Sequence, residues 1–431
     1  MKNPERKNIS LPLLVCFLFV CLAFKSLENS ISIFKADPDN AKLKLPTGFG
    51  AAIVANKAGR ARHLVVTKTG NFYVKTKNLV NGAGILYYTD DNKDGKYELA
   101  SSFGNYIGTG ITIKNGYLYA SSDLEVFRYK LNSNEEVIDT AKAERIIYGL
   151  KAGRQHQTKS IVLDDDNNIY VNIGAYSNSC QIRDRGLESK GIENCPILDS
   201  AGGIWQFKAN KLNQTYKDGV RYATGLRNVM GLDWNSTNKT LYVTQHGRDN
   251  LNSSWPKLYT TKESAELPAE TMYMIKKGDN AGWPYIYYDP FLKKKMIAPE
   301  YGGDGKTESS GDYIDPIIDF PAHMAPNALL FYTGDMFPQR YKNGAFIAFH
   351  GSWNRAPEKQ AGYFVVFVPF KDGKPSGKWE VFADNFSGKA EIDSPREAEH
   401  RPCGLAQAPD GSLFITDDTK GTIYRIGYHK N

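Results

Sequence analysis

A short phrase recurs six times along the chain. "TGNFYVK" (Thr69 to Lys75) returns as "NGYLYAS" (Asn115 to Ser121), then as "NNIYVNI", "NKTLYVT", "NGAFIAF" and "DGSLFIT". Each is a turn of Gly, Asn, Asp or Lys followed by an aromatic-aliphatic run that reads as a strand. Upstream of each lies another short apolar run: "RHLVV", "GTGITI", "KSIVL", "NVMGLDW", "PNALLFY" and "CGLAQAP". Downstream lies a third: "ILYYTD", "VFRYKL", "IWQFKA", "MYMIKKG", "YFVVFVPF" and "IYRIGY". One small antiparallel sheet cannot bury both of its faces. Stacking such sheets radially covers the faces and leaves short, protected edges. The repeats therefore predict an all-β protein, a six-bladed β-propeller. A single large sandwich with look-alike hairpins is the alternative, and six matched triplets weigh against it.

The frame is expected to run from 46 to 431 as one domain, after a linker over 26–45. Segment 1–25 reads as a signal peptide or a membrane anchor. Lys2, Arg6 and Lys7 precede the apolar run "LPLLVCFLFVCLAF", which is short for a membrane span and right for a signal-peptide core. No good small-x-small cleavage site follows. The expectation is export, to the periplasm or to a membrane anchor facing it, with no other membrane contact. In an oxidising compartment Cys180 and Cys195 are expected to close the loop "CQIRDRGLESKGIENC", two free thiols being the alternative, with Cys403 left as a buried small hydrophobe. Net charge is +7 over 431 residues, and no basic block exceeds Lys293–Lys295. Nucleic acid is therefore not expected as a partner.

The topology places the chemistry. In a blade the first strand is innermost, so residues just before it and just after the second strand meet at one mouth of the central channel. Those positions hold His156 and Gln157, Arg227 and Asn228, Gln245 to Arg248, His323 and Asn327, His350 and Arg355, Arg401, and Asp417, Asp418 and Lys420. The result is a basic, hydrogen-bonding funnel, with carboxylates only at Asp417 and Asp418. Cationic funnels bind anions, and arginine forks suit carboxylates.

Four stretches carry a family resemblance: "GLRNVMGLDW" with "LYVTQHGRDN", "KKGDNAGWPY", "FYTGDMFPQRYKNGAFIAFHGSWNR" and "RPCGLAQAPDGSLFITDD". Their order resembles the soluble quinoprotein sugar dehydrogenases, the glucose/sorbosone dehydrogenase family, over roughly Arg62 to Tyr428. These are six-bladed propellers that hold pyrroloquinoline quinone (PQQ) and calcium at the channel mouth. The resemblance implies that His156 is the base and that Arg227 and Asn228 bond the reactive quinone carbonyl. It implies that the Gly247 and Arg248 carbonyls coordinate calcium and that Arg401 and Arg355 hold the PQQ carboxylates, with Gln245 in the same cofactor site. Gln155 stands where glucose-type members carry an acid, and Met230 replaces a polar cofactor contact. Both point to a sorbosone-like or broader aldose substrate, with electrons passed to an external quinone or cytochrome.

Residue chemistry agrees. Oxidising a hemiacetal or alcohol needs a base on O–H and a hydride acceptor that no side chain supplies. No Gly-rich βαβ unit is present to bind a nicotinamide or flavin nucleotide. The rival readings are a calcium-dependent propeller hydrolase, lactonase-like, and a propeller that only binds. "DDNKDGKYE" follows the opening of a calcium loop from Asp90 to Gly95, but Ser101 stands where the closing Glu belongs, and a hairpin turn is the favoured reading.

Overall fold

The structure is a computed structural model that describes residues 34–429. The segment read as a signal peptide or membrane anchor, with Cys16 and Cys21, lies outside the described residues. Among the described residues no helix is long and apolar enough to cross a membrane.

Six sheets of mostly four antiparallel strands carry the chain, and each predicted triplet forms the inner three strands of one sheet. Blade I runs from Ala61–Val66 to Glu98–Phe103, and blade II from Ile111–Lys114 to Glu144–Tyr148. Blade III starts at Ile161–Leu163, blade IV at Val229–Asn235 and blade V at Pro326–Phe331. Blade VI takes its inner strands from Pro402–Gln407, Leu413–Asp417 and Ile423–Tyr428. Its outer strand is Phe49–Ala55, paired antiparallel in register from Phe49 with Tyr428. The two ends of the chain thus close the ring in one sheet. Residues of all six innermost strands, among them Val65, Ile111, Ile161, Leu232, Leu329 and Leu405, line one central cavity of about 200 Å³.

The inner strands of blades I, IV, V and VI each hold one residue more than their neighbour at the start, giving register shifts at 61/64, 229/231, 326/328 and 402/405. A bulge re-aims the side chain it carries. Here the bulges lie where each inner strand leaves the predicted mouth.

The stretch assigned to the linker is packed from Phe34 on. Phe34 stacks on His429, and the Asp37 carboxylate accepts from the Ile53 N–H at 2.8 Å. In the Asp90–Gly95 turn, Asp90 accepts the N–H groups of Asp94 and Gly95, and Asn92 accepts that of Asp94. These acceptors cap the hairpin turn itself.

Closure has an aromatic anchor. The Phe49 ring packs edge-on against Phe337, Tyr341 and Phe382 of blade V, with centroids 4.8, 5.3 and 5.0 Å away. Phe49→Ala is expected to remove about 3–5 kcal/mol of stability, the usual loss for a buried Phe. A chemical-denaturation midpoint that does not move would show that this strand does not hold the ring closed.

Candidate active site

His156 lies in the turn before the third inner strand, with φ at +50°, a left-handed conformation that costs a side-chain-bearing residue energy. Two features hold it there. Its Nδ1 lies 2.5 Å from the carbonyl of Ala175. A carbonyl only accepts, so Nδ1 carries the proton and Nε2 is the basic nitrogen. Gly174 provides the room: a Cβ there would sit 2.6 Å from both the Cβ and the carbonyl oxygen of His156. The group that orients His156 is therefore backbone, in the place where an acidic side chain was missing at Gln155.

Arg227 enters from the start of blade IV and is buried. Its backbone N–H donates to Gln245 Oε1 at 2.8 Å. The guanidinium donates to the Asn178 carbonyl (3.1 Å), the Asn178 amide oxygen (2.9 Å), the Gly247 carbonyl (2.7 Å) and Asp249 Oδ2 (2.8 Å). Asp249 also takes Arg185 Nη2 at 2.9 Å and Asn354 Nδ2 at 2.9 Å. Asn178 exchanges hydrogen bonds with the backbone of Asp249 in both directions. Trp283 of the Gly-Trp-Pro segment donates to the Asn178 carbonyl at 3.0 Å. Asn178, Asp249 and Asn354 all follow the second strand of their blades, the position that the topology sends to the mouth.

On the opposite lip Arg401 donates to the carbonyls of His350 (3.0 Å) and Gly351 (2.6 Å), which leaves Nη1 without a partner among the described residues. His350 Nε2 meets Asp418 Oδ1 at 2.6 Å, and Asp418 Oδ2 accepts Arg62 of blade I at 2.7 Å. Asn228 Nδ2 lies 3.4 Å from His246 Nδ1. The amide oxygens of Asn228, Asn327 and Asn354 are buried with no hydrogen-bond partner. Arg355 stands apart from this group. It donates to the carbonyls of Lys359, Ala265 and Ala322. Met230 is buried, its sulfur 3.6 Å from Thr158 Oγ1.

The mouth holds more carboxylates than the sequence suggested. Besides Asp417 and Asp418, Asp249 and Glu270 reach it, Glu270 accepting from Gly247 N–H at 3.0 Å. Burial pushes Glu270 up to about 8, against its backbone donors. Burial would raise Asp249 too, but Arg227, His323 and Arg185 hold it well below the usual carboxylate range. Burial, with Arg227 second, lowers His156 well below the ordinary histidine value, although the Ala175 carbonyl and Asp249 oppose it. The same two causes bring His246 down to about 3.

Two absent groups can be tested against these residues. An anionic, planar quinone fits the open side of Arg401, whose Nη1 can donate to a carboxylate across the mouth from a neutral base. Of the two carbonyls assigned to calcium, that of Gly247 accepts Arg227 Nη1 and keeps a second lone pair. The Arg248 side chain is buried against Glu300.

A neutral, oriented imidazole and a buried arginine thus share the mouth of a six-bladed frame. The chain belongs to the TrAA12-like family, which it matches over residues 43–288 and 294–429. It is similar to an uncharacterized protein of Borreliella burgdorferi, 26% identical over 416 residues, covering 94% of this chain and 95% of that one. It is also similar to a pyrroloquinoline quinone-dependent sugar dehydrogenase of Hypocrea jecorina, 21% identical over 443 residues (96% and 95%). An iodide structure of a Trichoderma reesei carbohydrate-active enzyme of family AA12 superposes with a TM-score of 0.72 at 19% identity, over 90% of this chain and 98% of that one, a likeness of fold.

Cys180 and Cys195 are bonded, and Cys403 is a buried free thiol. Thiol labelling of the denatured, unreduced protein is expected to spare Cys180 and Cys195 and to mark Cys403; label on all three would contradict the bond.

His63, His156, His246, His323 and His350 are all lowered, each chiefly by burial. Below about pH 6.5 the unfolded chain binds protons on them that the folded mouth refuses, so stability falls with pH. Glu270 and Asp233, raised by burial to about 8 and about 7, and Asp123, also raised by burial, pull the other way. Five groups outweigh three, and the Tm is expected to fall from pH 6.5 to 5. A Tm that stays level or rises would contradict the burial of these rings.

Proposed function

We propose that the chain is a PQQ-dependent sugar dehydrogenase that oxidises an aldose or related sugar, sorbosone-like in kind, and passes the electrons to an external quinone or cytochrome. The observation that carries this is His156. The imidazole is locked in one tautomer, neutral at physiological pH, with its basic nitrogen available beside Arg227.

When bound, PQQ supplies the two-electron acceptor that side chains lack. Arg401 Nη1 would hold one of its carboxylates, and Asn228 Nδ2, which has only a 3.4 Å contact to His246, would donate to a quinone oxygen. His156 Nε2 takes the proton of the sugar hydroxyl. Its Nδ1–H stays on the Ala175 carbonyl, so the cation formed is stabilised where it forms. Arg227 supplies fixed positive charge next to the reacting oxygens, held in place before reaction by Asn178 and Asp249. Calcium dependence belongs to the same proposal, with the free lone pair of the Gly247 carbonyl and the Arg248 carbonyl as the groups that would hold the ion. The hydrolase reading asks for free carboxylates around a metal, whereas here Asp249 and Asp418 are spent on arginines. Gln245 serves the site by fixing the Arg227 backbone.

The Cys180–Cys195 bond favours an oxidising compartment. The proposal therefore includes export, with the protein periplasmic or anchored facing the periplasm.

The test uses purified protein with and without PQQ. Sugar oxidation is expected to appear only with PQQ, and to persist after exhaustive PQQ removal only if the proposal is wrong. His156→Gln should keep PQQ affinity and lower kcat about 10²–10⁴-fold, the worth of a positioned base. Arg401→Ala should weaken PQQ affinity. The acid limb of the activity profile should lie well below pH 6.5, because burial and Arg227 keep His156 neutral there. A His156→Gln variant that turns over like wild type, or cannot bind PQQ, makes this histidine structural.

A further inference from the structure

The loop closed by Cys180 and Cys195 reaches back to the mouth through one side chain. Arg185 has φ at +56° and its N–H donates to Gln181 Oε1 at 2.9 Å, so its place in the loop is built. Its guanidinium spans two residues of the site. Nε and Nη2 donate to Gln155 Oε1 at 3.3 and 2.8 Å, and Nη2 also donates to Asp249 Oδ2 at 2.9 Å. Nη1 is bonded to the Asn250 amide oxygen.

The other end of the Gln155 amide is held as well. Its Nε2 donates to Asp184 Oδ2 at 2.5 Å, and Asp184 Oδ1 accepts from Ser177 Oγ and from the Asn178 N–H. Donor faces carboxylate and acceptor faces guanidinium, so the amide has one orientation. A carboxylate at 155 would lie against Asp184, and two like charges at that distance repel strongly. This accounts for the glutamine found where an acid was looked for.

We infer that Arg185 is a positioning residue that ties the base to the arginine opposite it, through Gln155, the neighbour of His156, and through Asp249, the partner of Arg227. The inference rests on the reading of His156 and Arg227 given above. Arg185 and Arg227 share one oxygen, Asp249 Oδ2. Removing Arg185 leaves the Asp249 charge less compensated and frees the Gln155 amide, so the strained turn at His156 loses its outer clamp. The charged and titratable groups acting on His156 are Arg227 and His246, which lower its proton affinity, and Asp249, which raises it. Weakening the compensation of Asp249 therefore raises the affinity of His156 for a proton.

The test compares wild type, Arg185→Gln and Arg185→Lys in the full chain. The first readout needs no cofactor: NMR titration of the imidazole that disappears in His156→Gln. In Arg185→Gln this titration should move upward, by up to about one unit. In Arg185→Lys, which keeps the charge, it should stay near wild type. The second readout is turnover with PQQ and an aldose. Arg185→Gln should lower kcat by about 10- to 100-fold, the scale of a misplaced reacting group, with PQQ affinity within about threefold of wild type. The double variant with Gln155→Ala should lose little more than either alone, as for residues acting through one contact. An unmoved His156 titration, or full additivity with Gln155→Ala, would overturn the inference. If the titration moves but wild type shows no PQQ-linked turnover, the coupling stands and the dehydrogenase reading falls.

Discussion

One buried carboxylate balances the charge on which the site depends. Asp249 meets Arg227 at 2.8 Å, Arg185 at 2.9 Å and Asn354 at 2.9 Å, so residues from three blades share it. Arg227 is only 3% exposed, and a buried guanidinium without a counter-charge is strongly destabilising, by about 3–5 kcal/mol when a partner is removed. Asp249 lets Arg227 keep its charge beside a histidine that must stay neutral. The same field does both jobs: Arg227 suppresses protonation of His156, and Asp249 limits how far that suppression goes.

The propeller makes this meeting of remote residues routine. Polar links at the mouth join blade to blade. Arg62 of blade I reaches Asp418 of blade VI, and Asp418 reaches His350 of blade V. Ser121 of blade II donates to the Lys159 carbonyl of blade III at 2.6 Å. Bulges at the start of four inner strands aim side chains towards that ring of links. Closure of blade VI by the Phe49 strand keeps the circle shut, since the chain ends would otherwise leave an open edge.

Much of this was legible from a repeated phrase. The six triplets are the inner strands, and most of the positions flanking them meet at one mouth, Arg355 excepted, because strand alternation and turn chemistry are local properties. The strand Phe49–Ala55 carries no copy of the phrase, and its place depends on a partner at the other end of the chain. Asp249 stands inside "QHGRDN", yet its role comes from Asn178 and Arg185, which lie in an insertion outside the repeat. The orienting partner of His156 is a main-chain carbonyl, which has no signature in residue types. The Gly247 carbonyl was assigned to calcium by resemblance; only the packing reveals that Arg227 also donates to it. The burial that lowers the proton affinity of His156 is invisible in the string "GRQHQTK".

The central claim is that His156 and Arg227 act on a sugar whose hydride goes to a bound quinone. The most direct measurement is a single turnover: PQQ-loaded protein mixed with an aldose bearing deuterium at C1, followed by the quinone absorbance. The account predicts loss of that absorbance in wild type, slower with the deuterated sugar than with the ordinary one, and none on that timescale in His156→Gln. Loss of absorbance in His156→Gln at the wild-type rate, or none in wild type, would contradict it.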